Sequence, residues 1–198
     1  MEVRAKHKLC RRIGGCLWGS PKCPSAKRPF PAGMHGKNKQ KKLSTYGELL
    51  LEKQKLKTFY AITEKQLRIA YTKAKKGKSQ TDHTLLRNLE MRLCSVIYRS
   101  GFAKTIFAAK QFVNHRHVKV NGRTVDKNSF LARQGDVLTI DPQKSPSIAQ
   151  TVKSLSAEIP PYMEIDRDNC KITITREPVP GEMPCNFEIM RVIEFYAR

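Results

Sequence analysis

Residues 91–125 read MRLCSVIYRSGFAKTIFAAKQFVNHRHVKVNGRTV, and the fold turns on how this stretch divides. Leu93, Val96 and Ile97 continue an i, i+3, i+4 apolar pattern begun by Leu85, Leu86 and Leu89. That pattern predicts one amphipathic helix, capped by Thr81 or Asp82 and stopped by Gly101. A shorter helix over roughly 104–114 carries Ile106, Ala109, Phe112 and Val113. The period then changes to two, with Val118 and Val120 alternating with His117 and Lys119. Asn121-Gly122 is a tight-hairpin signal, because both central positions of that turn need positive φ. Thr124 and Val125 continue on the return side.

Basic residues run through the module: Arg92, Arg99, Lys104, Lys110, Arg116, Lys119 and Arg123. On two helices set at an angle they can converge on phosphate. Thr105 stands at the start of the second helix, where free N–H groups attract phosphate. Leu93, Val96 and Ile97 are assigned to the core. The same pattern also describes a small packed module with a solvated basic face, and composition alone does not separate the two. His115 and His117 straddle a helix-to-strand connection, a place for solvent or phosphate contact rather than catalysis.

Upstream, Thr45 and Glu48 have capping-box spacing and open a helix with Leu49, Leu50, Leu56 and Tyr60 on a partial apolar face. Thr63 and Gln66 repeat the spacing, Leu67, Ala70, Tyr71 and Ala74 line one side, and Gly77 is the expected stop. Residues 1–43 show no periodicity and hold Pro21, Pro24, Pro29 and Pro31 close together. They are expected to form an extended or looped arm, because proline removes donors and breaks helices. Such an arm cannot bury enough apolar surface to order itself, and needs RNA, a metal or both. Downstream, Gly135-Asp136 is a turn and Val137 to Ile140 a strand. Residues 142–157 read as a polar linker. Ile165, the turn Arg167 to Asn169, and then Ile172 and Ile174 suggest a hairpin. Pro178, Pro180 and Pro184 make a loop, and Val192 to Tyr196 reads as a closing strand.

Charge narrows the function. The 198 residues include 38 Lys/Arg against 17 Asp/Glu, a formal net charge of +21. Residues 1–80 hold 21 of those cations against four acids, whereas residues 141–198 hold seven against nine. A chain this small carries strong self-repulsion at that charge, and a polyanion is the natural partner, met by the N-terminal half. The longest apolar runs are four residues, so no membrane span is expected, and the N-terminus has no secretory pattern. Six Cys in a chain of intracellular character are buried thiols or metal ligands rather than a disulfide framework. No phosphate-binding glycine loop, Walker lysine or nucleophile–base arrangement is present, and Asp166 and Asp168 around Arg167 read as a turn. An enzyme is not expected.

The sequence resembles a known family. Arg92-Leu93, Val96, Tyr98-Arg99, Gly101-Phe102-Ala103, Ala109, Gln111, Val113, His115, Val118, Val120-Asn121-Gly122-Arg123 and Val125 are similar to the small RNA-binding domain named after ribosomal protein S-four. That domain also occurs in pseudouridine synthases and tyrosyl-tRNA synthetases. Two further sets of residues resemble the ribosomal family itself. One is Pro29, Pro31, Gly33, His35-Gly36, Ser44, Tyr46-Gly47, Leu50, Glu52-Lys53-Gln54-Lys55-Leu56 and Tyr60; the other is Pro160-Pro161, Glu164-Ile165-Asp166 and Val192-Ile193-Glu194-Phe195-Tyr196. An RNA-modifying enzyme borrowing the small domain would need a catalytic domain that the flanking segments are too short to supply. The linker after Gly77 and the region from Pro178 to Asn186 depart from the family's spacing.

The resemblance implies an α+β fold with an extended basic N-terminal arm at 1–43 and a mainly helical domain at 44–90. An inserted S-four RNA-binding domain of two helices plus a short β-sheet follows at 91–149, and a segment at 150–198 returns to the helical domain. It implies a structural protein of the small ribosomal subunit, bacterial or organellar in type. Such a protein is a monomer within a cytoplasmic or organellar ribosome, with no membrane partner. Family members bind a multi-helix junction in the 5′ region of small-subunit rRNA, nucleate assembly, touch ribosomal protein S-five and lie near the mouth of the mRNA channel, contributing to translational accuracy. The implied RNA-binding set is Lys37, Lys39, Lys41, Lys42, Lys53, Lys55, Arg92, Arg99, Lys104, Thr105, Lys110, His115, Lys119, Asn121 and Arg123. The four lysines after His35-Gly36 match the family's mRNA-proximal positions or contact rRNA phosphates alone. Metal-bearing relatives carry two Cys pairs in the arm, and the matching positions here are His7, Cys10, Cys16 and Cys23. They imply zinc, with an iron–sulfur cluster as a lesser alternative. The other reading is three reduced thiols packed against rRNA, with His7 on phosphate. Cys94, Cys170 and Cys185 are expected to be buried thiols.

Overall fold

The structure, a computed structural model, describes residues 7–37, 42–77, 79–141, 159–179, 181–183 and 187–197. These form an α+β fold of seven helices and five strands. The linker expected at 142–157 lies outside the described residues, as do Pro180, Pro184 and Cys185. The chain divides into two units, one of Met1–Ile69 with Asn186–Arg198 and one of Ala70–Cys185.

The first unit begins with α1 (Lys8–Ile13), closed by Gly14 in the left-handed region at φ 81°. The sequence gives no helical period there, so this short helix is a correction. Its order comes from outside propensity: Trp18 donates from Nε1 to the Phe59 carbonyl at 3.2 Å, tying the arm to the long helix α2 (Thr45–Phe59). The cap of α2 is Ser44, one residue before the expected Thr45; its backbone is extended and its hydroxyl accepts from the Gly47 N–H at 3.2 Å. Thr63 and Gln66 do form the expected reciprocal box at the start of α3 (Glu64–Lys76), each side chain accepting from the other's backbone N–H at 3.3 Å.

Val192 to Tyr196 is not a strand. It lies in α7 (Ile189–Ala197), where Ile189 and Val192 are buried against α2. The β-branched and aromatic run favours a strand locally, but the i, i+3 spacing of its buried residues suits a helix face and tertiary packing decides. Glu48 pairs with Arg191 at 3.3 Å, and the rings of Tyr46 and Phe195 stand 5.7 Å apart.

A part-buried polar knot joins α2, α3 and α7. Glu64 accepts from the Tyr196 hydroxyl at 2.7 Å, from Lys53 at 3.1 Å and from Lys57 at 3.4 Å. Burial alone would raise the Glu64 pKa, but the hydrogen bonds from Tyr196 and Lys53 and the charges around it bring it below the usual carboxylate range. A depressed native pKa gives stability that is fully present above the unfolded value of about 4.3 and fades as pH falls through the native value. Glu64→Gln is therefore expected to be less stable than wild type at neutral pH, with the gap closing in acid. Urea unfolding of both proteins at pH 7 and pH 3 checks this, and a gap that widens on acidification would contradict it.

In the second unit the helix expected through residue 100 is broken into α4 (Thr81–Glu90) and α5 (Leu93–Arg99). Apolar periodicity runs straight through the break, and the interruption comes from elsewhere in the chain. The Leu93 N–H donates to the Phe130 carbonyl and the Ala132 N–H to the Met91 carbonyl, both at 2.9 Å, so residues 91–93 pair like a strand with 130–132. Leu93, Val96 and Ile97 are fully buried, as expected. Helix α6 (Ile106–Asn114) packs on α5.

The sheet is antiparallel with order β2-β1-β3-β5-β4, formed by β1 (Val118–Val120), β2 (Arg123–Thr124), β3 (Val137–Ile140), β4 (Met163–Asp166) and β5 (Lys171–Ile174). Asn121 and Gly122 take φ 49° and 80°, the left-handed pair that a two-residue hairpin requires. The hairpin β4–β5 hydrogen bonds to β3, so residues 163–174 complete this sheet. Pairing there covers an edge of β3 that would otherwise stay open.

Candidate nucleic-acid interface and metal cluster

The arm gathers His7, Cys10, Cys16 and Cys23 so that one ligand atom from each lies within 4.8 Å of every other. His7 caps α1 and Cys10 follows three residues later, which places both on one face of the helix. Cys16 accepts from the Ser20 N–H at 3.3 Å, and the Cys23 sulfur sits 3.3 Å from His7 Nδ1 and 3.1 Å from Ser25 Oγ. Cys10 and Cys23 are buried and all described cysteines are free thiols. Burial, reinforced by the neighbouring Cys23, pushes the Cys10 thiol up to about 11. Burial also opposes ionisation of Cys23, but hydrogen bonds from Ser25 outweigh it and hold this thiol below its ordinary value. A tetrahedral zinc ion with bonds of about 2.3 Å to sulfur holds its thiolates about 3.8 Å apart, so the four donors fit such an ion with separations closing by about 1 Å at most.

The expected RNA-binding residues fall into distinct surroundings. Lys37, Lys42, Lys104, Thr105, His115 and Arg123 are exposed. Lys39 and Lys41 lie outside the described residues. Thr105 caps α6, its hydroxyl accepting from the Ala108 N–H at 3.1 Å. Lys119 pairs with Asp141 at 3.2 Å and keeps part of its length in solvent.

Four residues are engaged by groups of this chain. Lys53 is buried against Glu64, with Nζ 4.1 Å from the centroid of the Phe195 ring. Lys55 pairs with buried Glu52. Asn121 accepts from the Val137 N–H at 2.9 Å and donates to Asp136 at 2.8 Å, fixing the hairpin to the neighbouring turn. Arg99 forks onto Glu90, with Nη2 and Nε donating at 3.0 and 3.2 Å to the two carboxylate oxygens of a side chain that is 0% exposed. In each case the side chain is engaged by a carboxylate or backbone group of this chain.

Arg92 and Lys110 are different. Arg92 is 6% exposed, and its Nε and Nη2 have no hydrogen-bond partner among the described residues. Lys110, half-buried on α6, has its pKa lowered first by burial and further by the Arg92 charge, against an opposing pull from Cys94. Sequence reading missed Arg11, Lys27, Arg28 and Phe30, which line one open cavity of the arm together with Gly33 and Lys37. The signal was available: residues 3–47 contain no acid.

Comparison with known families and proteins places this geometry. Residues 3–90 match the family described as the ribosomal protein S4/S9 N-terminal domain, and residues 91–138 match the S4 domain. The chain is 44% identical to small ribosomal subunit protein uS4 of Methylobacterium nodulans, over 100% of this chain and 98% of that protein. The chain belongs to the uS4 family. It is likewise 40% identical to uS4 of Roseobacter denitrificans, over 100% and 98% of the two chains, and 42% identical to uS4 of Brucella abortus strain S19, over 98% and 97%. A uS4-family chain is a structural ribosomal protein and not an enzyme. The two family matches meet at residues 90 and 91, where α4 gives way to α5. Among the described residues no helix is long and apolar enough to cross a membrane.

Proposed function

We propose that this uS4-family protein binds the folded 5′ region of small-subunit rRNA early and nucleates assembly there, as a monomer within a cytoplasmic or organellar ribosome. Ribosomal protein S-five and mRNA near the mouth of its channel are its further partners, with an influence on translational accuracy. The single observation that carries the RNA reading is Arg92, buried with Nε and Nη2 lacking a hydrogen-bond partner among the described residues. Open donors on a buried guanidinium are costly in a medium of low dielectric, and an RNA phosphate satisfies them. Exposed Lys104, Thr105, His115 and Arg123 extend the contact. Lys37, Lys39, Lys41 and Lys42 reach rRNA or mRNA phosphates as point charges.

The arm is proposed to hold zinc through His7, Cys10, Cys16 and Cys23. Zinc supplies a structural cross-link between α1 and the loop that follows it. Three thiolates, one imidazole and one divalent cation sum to a single negative charge, which the surrounding lysines and arginines compensate. An iron–sulfur cluster prefers four thiolates, so the imidazole favours zinc.

Binding to a 5′-domain rRNA fragment over a salt series tests the RNA reading. Affinity is expected to fall steeply with salt, because each neutralised phosphate releases counterions, and a folded junction is expected to outcompete plain duplex RNA. Equal affinity for any duplex at physiological salt would overturn the reading. Lys110→Met is expected to weaken binding and to reduce the magnitude of the log–log salt slope by about 0.7–0.9. Lost stability with unchanged affinity would make Lys110 a packing residue instead.

A further inference from the structure

We propose that the cavity beside Phe30 is a subsite for a single unstacked nucleotide, its phosphate held by the surrounding cations and its base set against the Phe30 ring. The inference rests on the RNA-binding reading and deepens it.

The open cavity has a volume of about 580 Å³ and is lined by Arg11, Lys27, Arg28, Phe30, Gly33 and Lys37. That volume falls within the range of small-ligand sites, about 300–1,000 Å³. Its chemistry is one-sided: four cations, one aromatic ring and no acid, in a stretch of chain that has no acid from residue 3 to residue 47. Arg11 lies with its guanidinium carbon 5.2 Å from the centroid of the Phe30 ring, and Lys37 Nζ lies 5.8 Å from it. These contacts draw positive charge around a half-buried ring. Arg11 is also positioned by its own chain, with Nη2 donating to the Pro31 carbonyl at 3.3 Å, while its Nε is buried without a hydrogen-bond partner among the described residues.

The wall is built rather than accidental. A Cβ on Gly36 would stand 2.0 Å from the Pro31 carbonyl oxygen, so only glycine lets residues 31–36 fold back this tightly. Gly33 takes φ 115°, and the Gly36 N–H closes the turn on the Gly33 carbonyl at 3.2 Å. Cations alone would serve any phosphate. A ring among them adds a surface for a base, and base–aromatic stacking is the general way proteins hold unpaired nucleotides. An A-form duplex keeps its bases stacked inside, so the fitting ligand is a nucleotide splayed from a loop, bulge or junction.

The test compares two fluorescein-labelled probes by anisotropy with the full-length protein: hexauridylate, and a six-unit sugar–phosphate strand of equal charge with stable abasic positions. Stacking one base is expected to favour hexauridylate by about 5- to 150-fold. Phe30→Ala is expected to abolish that preference while leaving affinity for the abasic strand unchanged. The double variant Lys27→Ala/Arg28→Ala is expected to weaken both probes alike. If Phe30→Ala also weakens the abasic probe, Phe30→Leu keeps the side-chain bulk without a ring, and the base preference read in that variant decides. A wild-type protein with no preference, or a preference that survives loss of the ring, overturns the proposal. Binding of the 5′-domain rRNA fragment, measured alongside, reports separately on the RNA-binding reading.

Discussion

Arg99→Ala is expected to destabilise the second unit by about 3–5 kcal/mol, a large share of the roughly 5–15 kcal/mol that holds a domain folded. Glu90 is 0% exposed and both its oxygens accept from the Arg99 guanidinium. Removing the guanidinium leaves a buried carboxylate without its matched cation, and desolvation of that charge is the source of the loss. Arg99→Glu should be worse, because it sets a second carboxylate against the first. Glu90→Gln/Arg99→Met should recover much of the stability, since replacing both members of a buried pair removes the charge that needs compensation. Chemical denaturation followed by circular dichroism reads all three variants. A surface arginine that touches only phosphate would behave oppositely: Arg99→Ala would keep its stability within about 0.5 kcal/mol and lose affinity for rRNA.

That contrast shows where a basic residue can and cannot be read from sequence. Arg99 and Lys104 look alike in the chain, but only Arg99 meets a buried acid, and Glu90 lies nine residues away across the break between α4 and α5. The break itself was illegible because its cause, the pairing of residues 91–93 with 130–132, is a long-range contact. What local chemistry dictates was legible: the Thr63–Gln66 box, the Asn121-Gly122 turn, and the full burial of Leu93, Val96 and Ile97. Val192 to Tyr196 failed because strand-forming residues were placed on a helix by contact with α2.

The candidate sites divide on the same line. The four candidate metal positions came from the resemblance to metal-bearing relatives, and the structure brings them together. The Phe30 cavity depends on a backbone fold-back between Pro31 and Gly36 that no periodicity announces. Composition marked the region as acid-free without saying that its cations converge on a ring.

The largest effect is expected from the metal. Purified protein prepared without chelators should carry close to one zinc per chain, and Cys10→Ser should carry almost none. The reason is positional: Cys10 belongs to α1, whereas Cys16 and Cys23 lie beyond Gly14, so losing its sulfur removes the one thiolate that anchors the loop to the helix. Structural zinc in small domains contributes apparent binding energies of about 10–16 kcal/mol, more than an arm without a substantial apolar core can supply itself. Metal loss should therefore release the arm, read as increased hydrogen exchange over residues 7–37 and a change in emission from Trp18, which packs edge-on to the His7 ring at 5.9 Å. The second unit has its own helices and sheet and should exchange as before. The Phe30 cavity shares α1 through Arg11, the residue after Cys10, so the Cys10→Ser protein should also lose its preference for hexauridylate over the abasic strand. A trace of metal in the wild-type protein, with an arm equally protected in both, would instead leave three packed thiols and a histidine with no cation to hold.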